Sequence, residues 1–193
     1  MNALITLFWR LAIFRASPEH TPYSQSVFAL VLLLWSGLQL LVGLLQQGLP
    51  ASLLLGSQWI ALTVLLGGTF IMLAFKGLGG RWLQTATSLV GVDVVLSLAN
   101  LPLLLSGWLF GPGADWVQVF ILLLVSWQLA AQAFIFHRAL NVGPFLGLGI
   151  AMALLVASYG SVAVLLPAVM APARWEIAAS DKARLYATES TML

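Results

Sequence analysis

Long apolar stretches, separated by short gaps rich in glycine, proline and polar residues, set the pattern of this chain. Residues 26–47, 53–75, 83–110, 116–136 and 144–169 are each long enough to cross ~30 Å of hydrocarbon at ~1.5 Å per residue. A span in lipid must satisfy its own backbone N–H and C=O groups, so all five are expected to be α-helices. The gaps carry turn chemistry, in Gln47-Gly-Leu-Pro50, Lys76-Gly-Leu-Gly-Gly-Arg81, Gly111-Pro-Gly-Ala-Asp115 and Asn141-Val-Gly-Pro144. The last of these sets Pro144 in the first turn of a helix, where its missing N–H is harmless.

The expected fold is all-α, a polytopic membrane bundle of five transmembrane helices over residues 26–169. An N-terminal helix and linker (1–25) precede it and a polar tail (170–193) follows. Residues 1–16 are too short and too charged for a sixth span. Asn2, Thr6 and Arg10 recur at i, i+4 and i+8, one polar stripe on an otherwise apolar helix. That pattern predicts an amphipathic helix lying in the membrane interface, with Phe8 and Trp9 dipping into the headgroup boundary. The alternative is a helix packed against the bundle. Ser17-Pro18 ends it, because the residue before proline is pushed out of the helical region. Arg10 and Arg15 fall late in the segment, whereas a secretory signal carries its charge first, so no cleavable signal is expected.

Charge orients the bundle. Arg10, Arg15, Lys76, Arg81 and Arg138 lie in gaps that alternate to one side, and the opposite short loops hold only Asp115. The positive-inside rule makes the basic side cytoplasmic, with the N-terminus inside and the C-terminus outside. Arg174, Lys182 and Arg184 of the tail run against this, accompanied by Glu176, Asp181 and Glu189. Composition agrees with a membrane protein: 61% of the 193 residues are hydrophobic and 7% charged, where soluble domains run near ~25% charged. The net charge of +2 comes from scattered residues, which leaves no electrostatic footprint for nucleic acid.

Candidate chemistry is sparse. Cysteine is absent, which excludes disulfides and thiolate metal sites. His20 and His137 lack the spacing and the companions of a zinc site. Gly77-Leu-Gly79-Gly80 lacks the Lys-Ser/Thr ending of a phosphate loop and joins two spans. No nucleophile motif is present, so neither enzymatic activity nor a cofactor is expected.

Asp93 is the one formal charge deep inside an apolar stretch. It lies twelve residues past Arg81, or ~18 Å of helical rise, close to the bilayer middle. A charge there costs ~2.5–3.5 kcal/mol on insertion scales, so it must face the bundle interior, be neutral or have a partner. Counting the same depth along the other spans reaches Ser36 and Gln39, Thr63, Ser126 and Gln128, and Ser158 and Tyr159. Gln128 and Gln132, at i and i+4, present two amides on one face. Asp93, Gln128, Gln132, Thr63 and Gln39 are thus the candidate site for a substrate or a proton. No basic residue shares their depth, which predicts a neutral carboxyl at rest. As plain interhelical glue, such groups contribute ~0.6–2 kcal/mol per hydrogen bond. Trp35, Trp59 and Trp127 read as packing residues, and Trp9, Trp82, Trp108, Trp116 and Trp175 as interfacial anchors. Gly143 and Gly147 form a small-xxx-small pair for close helix approach, and Asn100-Leu-Pro102 marks a site where a span could kink.

The run from Lys76 to Thr85, Lys-Gly-Leu-Gly-Gly-Arg-Trp-Leu-Gln-Thr, resembles the Gly-Gly, aromatic, Gln-Thr segment before the third span of bacterial Yip1-domain proteins. Leu124-Val-Ser-Trp127-Gln, the short basic loop at His137-Arg138 and a last apolar span are similar to the same plan. The resemblance covers residues 26–169. It implies a small bundle protein of trafficking or envelope-associated type in the bacterial inner membrane, without enzymatic activity. Eukaryotic relatives carry a longer cytosolic N-terminal region linked to small GTPases; only about 25 residues precede the first span here, so that role is not carried over. The leading expectation is a non-enzymatic protein of Yip1-like type. It would act in the lipid bilayer through a membrane-protein partner, a homo-oligomer or membrane organisation. The alternative is a small transporter or ion- or proton-coupled permease with a midplane site around Asp93. A permease needs a polar cavity reaching Asp93; a scaffold would seal it, with its oxygens bonded to Gln128, Thr63 or a backbone carbonyl.

Overall fold

The computed structural model describes residues 2–45, 50–110 and 115–170. The expected turns at 47–50 and 111–115 and the tail, with Arg174, Trp175 and Lys182, fall wholly or mostly outside the described residues. Among the described residues seven α-helices run in chain order: α1 (Asn2–Ala12), α2 (Gln25–Leu45), α3 (Ala51–Phe75), α4 (Trp82–Phe110), α5 (Asp115–Ala139), α6 (Pro144–Leu165) and α7 (Pro167–Met170). Five of them, α2 to α6, are long and apolar enough to cross a membrane. The last span is shorter than its apolar run. Leu166 leaves the helical region (φ −130°, ψ 65°) because it precedes Pro167, and α7 restarts beyond it. Pro102 sits inside α4 without ending it.

The five long helices close into a ring. α2 packs on α4, α4 on α5, α5 on α6, α6 on α3, and α3 again on α2. The end carrying Lys76, Arg81 and Arg138 is knitted together by its turns. α3 finishes with Leu78 N–H bonded to Leu73 C=O and Gly77 N–H to Ala74 C=O. That closure needs φ +72° at Gly77, where a side chain would be strained. Lys76 Nζ then donates to Leu140 C=O at 3.0 Å, tying this turn to the foot of α5. Asn141, at φ +51°, closes α5 in the same manner, with Val142 N–H on His137 C=O. His137 Nδ1 bonds Val142 C=O, so this histidine serves the turn. The Trp82 indole N–H reaches from α4 to Leu66 C=O on α3, with Phe28 and Phe70 against its ring.

Packing is tightest toward this basic end. Leu73, Ala86, Val90, Ala131, Ile135, Phe136 and Ala151 are buried there without measurable exposure. α5 and α6 approach closely at Gly147, where a Cβ would lie 2.6 Å from the Ala133 carbonyl oxygen. Outward-facing Leu33, Phe75, Phe145 and Val164 present apolar surface of the kind a lipid environment accepts.

The N-terminal helix departs from the interfacial expectation in its contacts. Phe8, Leu11 and Ala12 are buried against α4 and α5, while Thr6, Trp9 and Arg10 are exposed. The Phe8 ring occupies the space above Gly91, where a Cβ would come within 2.3 Å of it. Trp127, expected as a packing residue, donates its indole N–H to Ala12 C=O at 2.8 Å. Phe14 ends the helix at φ +61°, an unfavourable conformation for a bulky residue, and it packs against Trp127 and Phe134. Burial of Phe8 and Leu11 by protein exceeds what a lipid interface alone requires. A cysteine at Leu11, which is 0% exposed, is therefore expected to resist maleimide. Gly91→Ile should displace Phe8 and accelerate that labelling by about tenfold or more, the change that ~1.4 kcal/mol of docking energy produces. Equal labelling in the two backgrounds would show that α1 is not docked.

Candidate functional site

Asp93 lies midway along α4, on the face turned into the ring. Trp35 of α2 donates its indole N–H to Oδ2 at 2.5 Å. Gln128 of α5 donates its amide N–H to Oδ1 at 2.6 Å. One carboxyl group thus joins three helices, and both of its oxygens are held. One turn outward, Gln39 Nε2 of α2 donates to Ser97 Oγ of α4 at 3.4 Å. Across the ring, Ser158 Oγ of α6 donates to Ala61 C=O of α3 at 3.2 Å.

Behind these bonds lies a cavity of about 430 Å³. Every long helix contributes to its wall. α4 supplies Asp93, Ser97 and Asn100, a stripe at i, i+4 and i+7. α5 supplies Gln128 and Gln132, and α2 supplies Trp35 and Gln39. Ser57 and Gln58 enter from α3, Ser158 and Tyr159 from α6. The apolar lining, including Leu54, Val162 and Val169, extends toward the helix ends remote from the basic turns. Nothing beyond Leu89 on α4 or Gln132 on α5 in the basic direction lines it, because the core there is filled. Asp93 therefore stands near the inner end of a one-sided cavity. Among the described residues no Lys, Arg or His lines it.

Four of the five candidate residues, Asp93, Gln128, Gln132 and Gln39, meet at this cavity. Thr63 does not. It is exposed on the outer side of α3 and its hydroxyl bonds Trp59 C=O one turn back, so it neither seals nor lines the site. Ser36 and Ser126, at the same counted depth, likewise bond their own helices, to Leu32 and Leu122 C=O. Trp35 was the residue that depth counting passed over. It shares a face with Gln39 at i+4, a spacing that could have placed it beside the carboxyl. Its ring also meets Trp59 edge to face, at 5.7 Å between centroids. Asn100, singled out as part of a kink, instead buries its Oδ1 without a hydrogen-bond partner among the described residues.

Chemically, the site pairs one carboxyl with amides, hydroxyls and an indole. Among the described residues no group of three His, Cys, Asp or Glu side chains could hold a metal ion. Comparison with family models, with curated proteins and with solved structures gives no match to this chain.

Proposed function

We propose that this protein is a non-enzymatic integral protein of a bacterial inner membrane that admits a small polar solute into the centre of its helical ring, in the manner of a small permease. The cavity reaching Asp93 carries this proposal. Interhelical glue needs hydrogen bonds such as those from Trp35 and Gln128, but it needs no space, and protein interiors pack with few voids larger than a water molecule. A volume of about 430 Å³ lies within the ~300–1,000 Å³ of small-molecule pockets. With the basic turns in the cytoplasm by the positive-inside rule, the N-terminus is cytoplasmic, the C-terminus periplasmic, and the cavity faces the periplasm. The Yip1-like resemblance accords with five spans and a Gly-Gly turn and assigns no solute. A role through lateral protein partners has no specific contact surface in its favour among the described residues.

Solvent access to Asp93 tests the proposal. A water-soluble carbodiimide with an amine nucleophile is expected to modify Asp93 in the folded, reconstituted protein, and not in Asp93→Asn. The exposed Glu19 serves as an internal control for reactivity. Modification of Glu19 with none at Asp93 would contradict it.

A further inference from the structure

We infer that the solute is an organic ammonium cation, bound with its nitrogen at Asp93. The inference rests on the solute-binding proposal above and adds the charge and hydrogen-bonding character of the ligand. Charge is the first observation. Among the described residues the wall holds one acidic side chain and no Lys, Arg or His, so an anion would find no counter-charge there and would face the carboxyl.

The hydrogen-bond inventory is the second. Several donors in the wall are held by the protein, Trp35 Nε1 and Gln128 Nε2 by Asp93, Gln39 Nε2 by Ser97, Ser57 Oγ by Leu54 C=O and Ser158 Oγ by Ala61 C=O, while the amides of Gln58 and Gln132 and the Tyr159 hydroxyl also line it. Acceptors remain. Asn100 Oδ1 is buried and unpartnered. Neutral at rest, Asp93 gives up its proton as the ammonium arrives; its oxygens then have about four lone-pair directions, and one N–H bond to each leaves capacity for donors from the cavity. A buried, unpartnered acceptor near a carboxyl with spare acceptor capacity is complementary to a ligand that brings N–H donors.

Shape is the third. A calcium ion needs ~6–8 oxygens at about 2.3–2.6 Å, a shell far smaller than this space. Trp35 and Tyr159 add aromatic rings to the wall, which attract cations by their quadrupole. A monovalent amine with an apolar body matches all three features, since leucines and valines line the remainder.

Three matched probes test the inference by titration calorimetry on the purified chain in detergent: benzylammonium, benzyl alcohol and benzoate. Benzylammonium is expected to bind at least about tenfold more tightly than either of the others, and Asp93→Asn to remove that preference. The three-probe comparison on the wild-type chain stands even where the variant folds poorly. Equal binding of benzylammonium and benzyl alcohol, or a preference that survives in Asp93→Asn, overturns the inference and leaves a solute cavity without charge selection. No binding of any probe, with Asp93 still reactive to carbodiimide, also overturns the inference alone. No binding together with an unreactive Asp93 overturns both it and the solute-binding proposal.

Discussion

Asp93→Leu is expected to destabilise the assembled bundle while making α4 easier to insert. A leucine cannot accept the Trp35 indole N–H or the Gln128 amide N–H, which both end on the carboxyl. A buried donor left without an acceptor costs ~1–3 kcal/mol, so two of them should cost at least ~2 kcal/mol of bundle stability. Insertion moves the other way, since removing a mid-span acid relieves ~2.5–3.5 kcal/mol on insertion scales. The two effects separate in two measurements, the amount of protein in the membrane fraction and the melting temperature in mild detergent. Asp93→Asn should change neither by more than the equivalent of ~1 kcal/mol. Its carboxamide oxygen still accepts from Trp35, and the Gln128 amide rotates to offer its oxygen to the new NH₂ group. Loss of accumulation in Asp93→Asn would mean that the carboxyl acts as a charged, paired group. Wild-type melting in Asp93→Leu would mean that the two hydrogen bonds contribute nothing.

Depth and span number are legible in this sequence because both are set by length. Hydrocarbon thickness fixes how many apolar residues a helix needs, and counting from Arg81 puts Asp93 at the level where Gln128 and Gln39 meet it. Facing is not legible, for a physical reason. Lipid tails are as apolar as leucine, so a membrane helix needs no polar outer face to contrast with its core. Thr63 and Trp35 show the result. Both lie at the right depth, yet Thr63 turns outward and satisfies itself on Trp59 C=O, while the apolar-looking Trp35 supplies the bond to Asp93. The ring order of the helices is illegible for the same reason, since α4 packs between α2 and α5 without any pattern of charge to direct it. Glycines give a partial substitute. Gly147 marks the close approach of α5 and α6, and Gly91 marks the seat of Phe8, but only the structure distinguishes them from Gly37 or Gly67, which have open space beside them. Proline acts through the backbone alone, and Pro167 ends α6 at Leu165, short of its apolar run, whereas α1 ends at Ala12, well before the expected stop at Ser17-Pro18.

The docked N-terminal helix bears on the site. It covers α4 at Gly91, two residues before Asp93, and engages Trp127, the residue before Gln128. Both backbone segments that present the central hydrogen bond are thus supported from behind, on the side where the core is filled.

The most direct test of a one-sided cavity leading to Asp93 uses the absence of native cysteine. Ser97→Cys replaces a hydroxyl one turn from Asp93 on the cavity wall, and Ser126→Cys places a thiol at an exposed, outward position of α5. Each single-cysteine chain is treated with a membrane-impermeant, cationic methanethiosulfonate from one face of the membrane at a time. A one-sided cavity requires that Ser97→Cys react from the face opposite the basic turns and not from the other, while Ser126→Cys, facing lipid, reacts from neither. A cysteine at 97 that reacts from neither face in the folded protein, yet reacts fully after denaturation, would contradict it.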